Sequence, residues 1–350
     1  MNFASDNWAG ASERLIRAVV DAARSGGPAY GGDRLTRAVE AQIQEVFERE
    51  AAVFFVATGT AANALGLAAF SRPGGMILCH RVAHIRTEEA GATEFYSGGM
   101  KTVGIDGADG KIGPGDLAAA IERIPDGSAH HGQLVGVSLS NLTELGTAYG
   151  PREVGVLAEL AKRRGLVVHM DGARIANALA GLGCTPAELT WRAGVDVLSF
   201  GGTKNGCIAA DAVIFFDPSA ARDFRFARQR AGHTFSKSWF VAAQFAAYLK
   251  DGHWLELASH ANAMGKRLAE AVEAAPRARL AVRPAGNEVF AILSRDLDCK
   301  LREAGAQYHE WSVTGLAEAE RPQQDEVLAR LVASFATRAE DVDRFAALMR

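Results

Sequence analysis

Cysteine is scarce in this chain of 350 residues, and the four present, Cys79, Cys184, Cys207 and Cys299, lie far apart with no CxxC pair. That spacing argues against a zinc cluster, so no metal site is expected, and it points to free thiols in a reducing compartment. Charge of one sign is also lacking: 38 basic against 41 acidic residues leave a net −3. No basic field therefore exists to hold nucleic acid or an anionic membrane. No apolar run approaches the roughly 20 residues that span a bilayer. The start, MNFASDNWAG, has neither the basic opening nor the apolar core of a signal peptide. Repeats, low-complexity tracts, long linkers and an appended DNA-binding segment are absent. No GxGxxG follows the first apolar strand, which weighs against a dinucleotide-binding dehydrogenase. These absences leave a cytoplasmic α/β protein acting on small molecules, long enough for a substantial core and for two or three domains.

What is present from about residue 50 to 216 is an alternation of short apolar runs with helical patterns. The predicted strands are Val53–Ala57, Met76–Cys79, Leu134–Leu139, Leu166–Met170, Val195–Phe200 and Ala212–Phe216. They are continuously apolar rather than alternating, as strands buried on both faces are. One intervening helix opens at Pro151, sets Val154, Leu157, Ala158 and Ala161 on one face, and stops at Gly165. Such alternation predicts a mostly parallel, helix-covered sheet. After about residue 235 the texture changes. Helices are expected at Phe240–Leu249, at Trp254–Ala274 and from Glu340, with weaker strands near Val289–Leu293 and Leu331–Phe335, which together read as a smaller α+β domain.

Four features fall at the ends of the predicted strands, where open α/β sheets place ligands. Thr58-Gly59-Thr60 opens a helix and is either an anion cup or a plain N-cap turn. Asp171, in His169-Met170-Asp171-Gly172-Ala173-Arg174, ends an apolar strand, where a carboxylate needs a cationic partner. That partner is either the ring nitrogen of a pyridoxal-phosphate (PLP) cofactor or Arg174. Lys204, in Ser199-Phe200-Gly201-Gly202-Thr203-Lys204-Asn205-Gly206, has the buried, glycine-lined setting that lowers an amine's pKa for imine formation. His84 is either a general base or ring-stacking partner, or a satisfied structural histidine. A phosphate cup, then an acid at one strand end, then a lysine 204 − 171 = 33 residues later follows the chain order of aspartate-aminotransferase-fold PLP enzymes.

On these and further segments the chain resembles the L-threonine aldolase family, in particular its low-specificity and phenylserine-cleaving members. The resemblance spans nearly the whole chain and rests on Ser5-Asp6-Asn7, Tyr30-Gly31-Gly32-Asp33, Thr58-Gly59-Thr60-Ala61-Ala62-Asn63, Ala83-His84-Ile85, HMDGARIANA at His169–Ala178, Thr203-Lys204-Asn205-Gly206 and Arg330-Leu331-Val332. It implies an α/β fold of the aspartate-aminotransferase type (fold type I). An arm would span residues 1–24, a large PLP-binding domain 25–238 and a small C-terminal α+β domain 239–350. It further implies that Lys204 holds PLP, Asp171 pairs with the pyridinium nitrogen, Thr58, Gly59 and Thr60 cradle the phosphate, and His84 stacks on the ring. Ser5, Arg174 and Arg330 would bind the substrate carboxylate. Tyr30 and the basic stretch Arg228, Arg230 and Lys237 match segments that reach a neighbouring subunit's site, so a homotetramer with active sites at dimer interfaces is implied.

The implied reaction is reversible cleavage of L-β-hydroxy-α-amino acids (threonine, allo-threonine, phenylserine) to glycine and an aldehyde. An aminotransferase or β-eliminating lyase on the same fold is the alternative. The proton of the β-hydroxyl would go to His84, to a water it holds, or to Glu89. One departure stands out: Glu144 occupies the place where many family members carry a second histidine. A pocket without that ring suggests room for an aryl group and a preference for L-phenylserine over L-threonine.

Overall fold

A computed structural model describes all residues, 1–350. Seven strands form the larger sheet: β1 (Ala52–Val56), β2 (Gly75–His80), β3 (Lys101–Ile105), β4 (Gln133–Ser140), β5 (Val167–Gly172), β6 (Val197–Gly201) and β7 (Asp211–Phe215). Their spatial order is β1-β7-β6-β5-β4-β2-β3. The strands β6, β5, β4, β2 and β3 pair in parallel, whereas β7 runs antiparallel to both β1 and β6. The short return from Gly201 to Asp211 explains the reversal. A parallel crossover takes a dozen or more residues, and this link has too few for a helix. Lys204 sits on that link, at the carboxyl end of β6.

Side chains alternate between two helical layers. Val213 and Phe215 of β7 pack with the helix Gly59–Ala68, while Ile214 and Phe216 join the core that includes Val241 and Phe245 of the helix Trp239–Leu249. Burial on both faces is why β6 and β7 carry no polar alternation; Ser199, the one polar residue within β6, is buried against His169 at 3.0 Å, and Asp211 stands at the start of β7.

A second, antiparallel sheet follows, β10-β11-β9-β8, made of β8 (Ala278–Leu280), β9 (Glu288–Ser294), β10 (His309–Glu310) and β11 (Glu326–Val332). One face packs on the helices His253–Glu273 and Ala339–Met349 through Val289, Ala291, Leu331 and Phe345. The other face carries Phe290, Ile292 and Leu328. The N-terminal segment is strapped to this sheet: Phe3 N–H donates to Gln307 O, and Val332 N–H donates to Phe3 O, both at 2.8 Å.

The six apolar strands and the helix at Pro151–Lys162 stand where the periodicity puts them, within a residue or two. One expectation needs correction. The last strand is Glu326–Val332 rather than Leu331–Phe335, because Glu326 and Arg330 interrupt its apolar run. The edge strand β3 carries no such signature: its sequence, KTVGI, is only partly buried and lacks the continuous apolar run of a central strand.

Candidate active site

The carboxyl ends of β4, β5 and β6 and the amino end of the helix Gly59–Ala68 surround an inner cavity of about 310 Å³. It opens into an outer cavity of about 800 Å³ toward the N-terminal segment and the smaller sheet. Asn7, His84, Glu144, Arg174 and Lys204 line both.

At one end of the inner cavity the extended backbone of Thr58 (φ −141°) caps the helix, its hydroxyl accepting the Ala61 N–H at 3.1 Å. The N-cap reading is therefore correct, and it is compatible with an anion cup. The first-turn N–H groups of Gly59 and Thr60 have no intrahelical acceptor. A Cβ placed on Gly59 would meet nothing within 4 Å, so the backbone there faces open space.

Asp171, 6% exposed, stands at the end of β5. Its Oδ2 accepts from Asn63 Nδ2 at 2.8 Å and its Oδ1 from the Ala173 N–H at 3.0 Å. It does not pair with Arg174. That guanidinium grips Asp6 through Nε and Nη2, at 2.7 and 2.9 Å, and its Nη1 lies 3.0 Å from Glu288 Oε2. The internal ion pair considered for Asp171 is thus overturned. Burial works against ionisation of Asp171, but the charges of His84 and Lys204 and the Ala173 N–H outweigh it and hold the pKa below the usual range.

Asn63 also donates to Glu89 Oε1 at 2.9 Å, and that oxygen lies 2.8 Å from His84 Nδ1. Asp171, Asn63, Glu89 and His84 so form one connected chain. Its hydrogen bond to Glu89 raises the His84 pKa against the opposing effect of burial. Glu89 is buried, and its Oε1 is shared by His84 and Asn63, which orients the imidazole, while its Oε2 has no hydrogen-bond partner.

Lys204 is positioned from both flanks. Asp211 accepts from the Gly202 N–H and the Thr203 hydroxyl, each at 3.0 Å. Asn205 Nδ2 donates to Tyr248 Oη and Trp254 O, each at 2.8 Å. A Cβ on Gly201 would come within 2.7 Å of the Ala173 backbone, so glycine is what lets the lysine turn press against the Asp171 turn. Burial first, and Arg174 next, lower the Lys204 pKa, as an imine-forming amine requires.

In the outer cavity Arg330, on β11, lays its guanidinium 4.0 Å from the centroid of Trp311, and its Nη2 lies 3.4 Å from Ala4 O. Its Nε has no partner. Ser5 lines the same cavity, and its hydroxyl caps a short turn by accepting the Asn7 N–H at 3.1 Å. Tyr30, Arg230 and Lys237 line neither cavity; all three are exposed, and Tyr30 borders a separate small cleft with Arg228 and His233.

Sequence reasoning missed Asn63, Asp6, Glu288 and Asp211. Asn63 and Asp6 lie inside quoted motifs, whereas no local pattern marks the other two. Taken together, an open helix amino terminus, a buried ionised carboxylate without a guanidinium partner and an amine of lowered pKa meet in one cavity, and PLP fits this set of groups.

Residues 2–295 match the beta-eliminating lyase family. A low specificity L-threonine aldolase of Pseudomonas aeruginosa is 40% identical over 307 residues, 88% of each chain. Its counterpart from another Pseudomonas strain is 37% identical over 89% of this chain and 90% of its own length. Among solved structures, a threonine aldolase of Leishmania major superposes with a TM-score of 0.91 at 27% identity, covering 99% of this chain and 98% of that one. Serine palmitoyltransferase of Sphingomonas wittichii, 16% identical with a TM-score of 0.71 over 100% of this chain and 86% of that one, shares the fold alone. The fold is therefore that of the fold-type-I PLP enzymes, and the chain belongs to the beta-eliminating lyase family, beside its low specificity L-threonine aldolases.

Proposed function

We propose that this protein is a PLP-dependent carbon–carbon lyase that reversibly cleaves L-β-hydroxy-α-amino acids, threonine, allo-threonine and phenylserine among them, to glycine and an aldehyde. The observation that carries the reading is the meeting of Lys204, Asp171 and the open helix end at Gly59 in the inner cavity, with Arg330 at the mouth of the outer one.

When bound, PLP supplies an aldehyde that condenses with amines and a conjugated ring that takes up the electron pair released at the α-carbon. The chain's own residues do the rest. Lys204 would hold the cofactor and return to it after each turnover. Thr58, Gly59 and Thr60 would bind the phosphate through the hydroxyls and free N–H groups of the helix end. Asp171, ionised and buried, would keep the ring nitrogen protonated. His84, anchored by Glu89, would lie along the ring. Arg330 offers an unpartnered Nε to the substrate carboxylate, with Ser5 beside it. Arg174 is mostly committed to Asp6 and Glu288, so its part is to shape and charge the site, with fewer donors left for substrate. Fixing the carboxylate selects which bond of the α-carbon breaks.

Tyr30, Arg230 and Lys237 line neither the inner nor the outer cavity of their own chain, which supports a homotetramer in which they serve a neighbouring copy. No helix is long and apolar enough to cross a membrane. The four cysteines are all unpaired, which supports a reducing, cytoplasmic setting.

The test is a product assay with PLP on L-threonine, L-allo-threonine and L-phenylserine. Glycine and the matching aldehyde in equal amounts are expected. A keto acid or ammonia instead would move the protein to transamination or β-elimination, both of which begin with loss of the α-proton.

A further inference from the structure

The reaction needs a group that takes the proton from the β-hydroxyl, and the sequence named His84, a water it holds, and Glu89 for it. His84 gives its Nδ1 to Glu89, and that bond raises the imidazole pKa against burial, which favours the ring as a proton donor. Glu89 also has an Oε2 without a partner, but it borders only the inner cavity, where Asp171 and the lysine turn lie, and not the outer one.

Glu144 is placed differently. It follows the carboxyl end of β4 and borders both cavities, with Lys204 and His84 lining the same two spaces. Its Oε1 accepts the Ser140 hydroxyl at 2.6 Å and the His84 N–H at 2.9 Å, which fix the carboxyl group from two sides. Its Oε2 is cut off from solvent and has no hydrogen-bond partner in the protein. A buried carboxylate oxygen left unmatched is costly unless something that enters the site matches it. The amino-acid substrate brings one hydroxyl, on the β-carbon.

We propose that Glu144 is the catalytic residue that accepts the β-hydroxyl proton through its Oε2, and that this role rests on the lyase reading above. The proton passes from the hydroxyl to the carboxylate. The O–H electron pair becomes the second bond of the aldehyde carbonyl, the Cα–Cβ pair stays with the α-carbon, and a proton added there completes glycine. The reverse direction uses the same carboxyl as acid. Burial, eased by Ser140 and the His84 N–H, pushes its pKa up to about 7, the range in which one carboxyl serves both directions. The titratable groups that share the inner cavity with it are His84, Glu89, Asp171, Arg174, Lys204 and Asp211, with the Cys79 thiol and Tyr149 phenol behind, both kept neutral by burial.

The test uses the PLP-loaded enzyme. Glu144→Gln preserves shape and an acceptor for Ser140 and the His84 N–H. It is expected to lower kcat for L-threonine cleavage by about 10²–10³-fold with KM within a few-fold. The acid limb of the wild-type kcat–pH profile, near pH 7, should vanish. Exchange of the glycine α-proton with solvent needs no β-hydroxyl and should persist. Ser140→Ala removes a donor that favours the carboxylate, so it should shift the acid limb to higher pH. A carboxyl titrating near pH 7 in the wild-type minus Glu144→Gln infrared difference spectrum would support the assignment without reference to turnover. An unchanged kcat and acid limb in Glu144→Gln overturns it while leaving the lyase standing. Parallel loss of cleavage and glycine exchange also overturns it, by showing a structural role. No aldehyde from wild-type enzyme removes the lyase reading itself.

Discussion

The inner and outer cavities share walls at Asn7, His84, Glu144, Arg174 and Lys204, yet they are assembled in different ways. Many inner contacts close over a few residues: Thr58 with Ala61, Asp171 with Ala173, Thr203 with Asp211. The strand ends of a single sheet then set these local turns side by side. Outer contacts span the whole chain: Arg174 holds Asp6, 168 residues away, and Arg330 reaches Ala4, 326 residues away. The half that fits the cofactor is a property of one sheet. The half that fits the substrate exists only while the N-terminal segment and the smaller sheet are docked on it. Damage to the inner half should abolish chemistry, and damage to the outer half should weaken substrate while sparing the cofactor.

The sharpest break in that comparison is Lys204→Ala. Turnover is expected to fall by roughly 10⁴-fold or more, and the borohydride-trapped adduct on the Lys204 peptide should disappear. An adduct on another lysine would overturn the assignment. Next is Asp171→Asn, which should still bind PLP, because the phosphate end is untouched. Loss of its ionic partnership should reduce kcat by about 10–10²-fold, read in steady-state assays at saturating cofactor. Unchanged kcat would make Asp171 purely structural.

Two changes probe the outer half. Arg330→Ala should raise KM for L-threonine by about 10-fold, with cofactor affinity altered far less, since about 1.5 kcal/mol attaches to a charge-assisted pair. Equal weakening of both would indicate general misfolding instead. Asp6→Asn leaves Arg174 with Glu288 as its single carboxylate partner. It should raise KM by only a few-fold, with the PLP absorption band preserved, and lower Tm because a buried guanidinium loses a partner. A lost PLP band would show that the two halves are not separable.

The smallest expected effect concerns side-chain preference. The outer cavity is lined mostly by polar groups, with Val82 and Trp311 its apolar members, and Arg330 already lies over the Trp311 ring. The place of the second histidine holds the carboxyl of Glu144 rather than free apolar room. The advantage expected for L-phenylserine is accordingly revised: kcat/KM for L-phenylserine and L-threonine should agree within about 10-fold. Parallel measurement on one preparation checks this, and a larger ratio would reveal an apolar subsite supplied by assembly.

Legibility followed the same division. Lys204, Asp171 and Thr58-Gly59-Thr60 could be read because each lies in a short contiguous segment whose chemistry and strand-end position are both local. Arg330 interrupts a strand pattern, and on its own it reads as a surface arginine; only the match of Arg-Leu-Val to a family pattern marked it. Glu288 and Asp211 carry no local mark at all. Each earns its place through a partner brought by folding, Arg174 for one and the lysine turn for the other.

The sequence by itself determined the order of strands and helices, the glycines that let two turns approach, and the helix end open to an anion. Hydrophobic periodicity and backbone stereochemistry act over a few residues, so they are written where they operate. The tertiary structure alone decided that Arg174 pairs with Asp6 and Glu288 instead of Asp171, that Asn63 ties Asp171 to Glu89, and that Glu144 keeps one oxygen unmatched. Those outcomes depend on burial and on Coulomb interactions between groups far apart in the chain. Neither has a value until the segments meet.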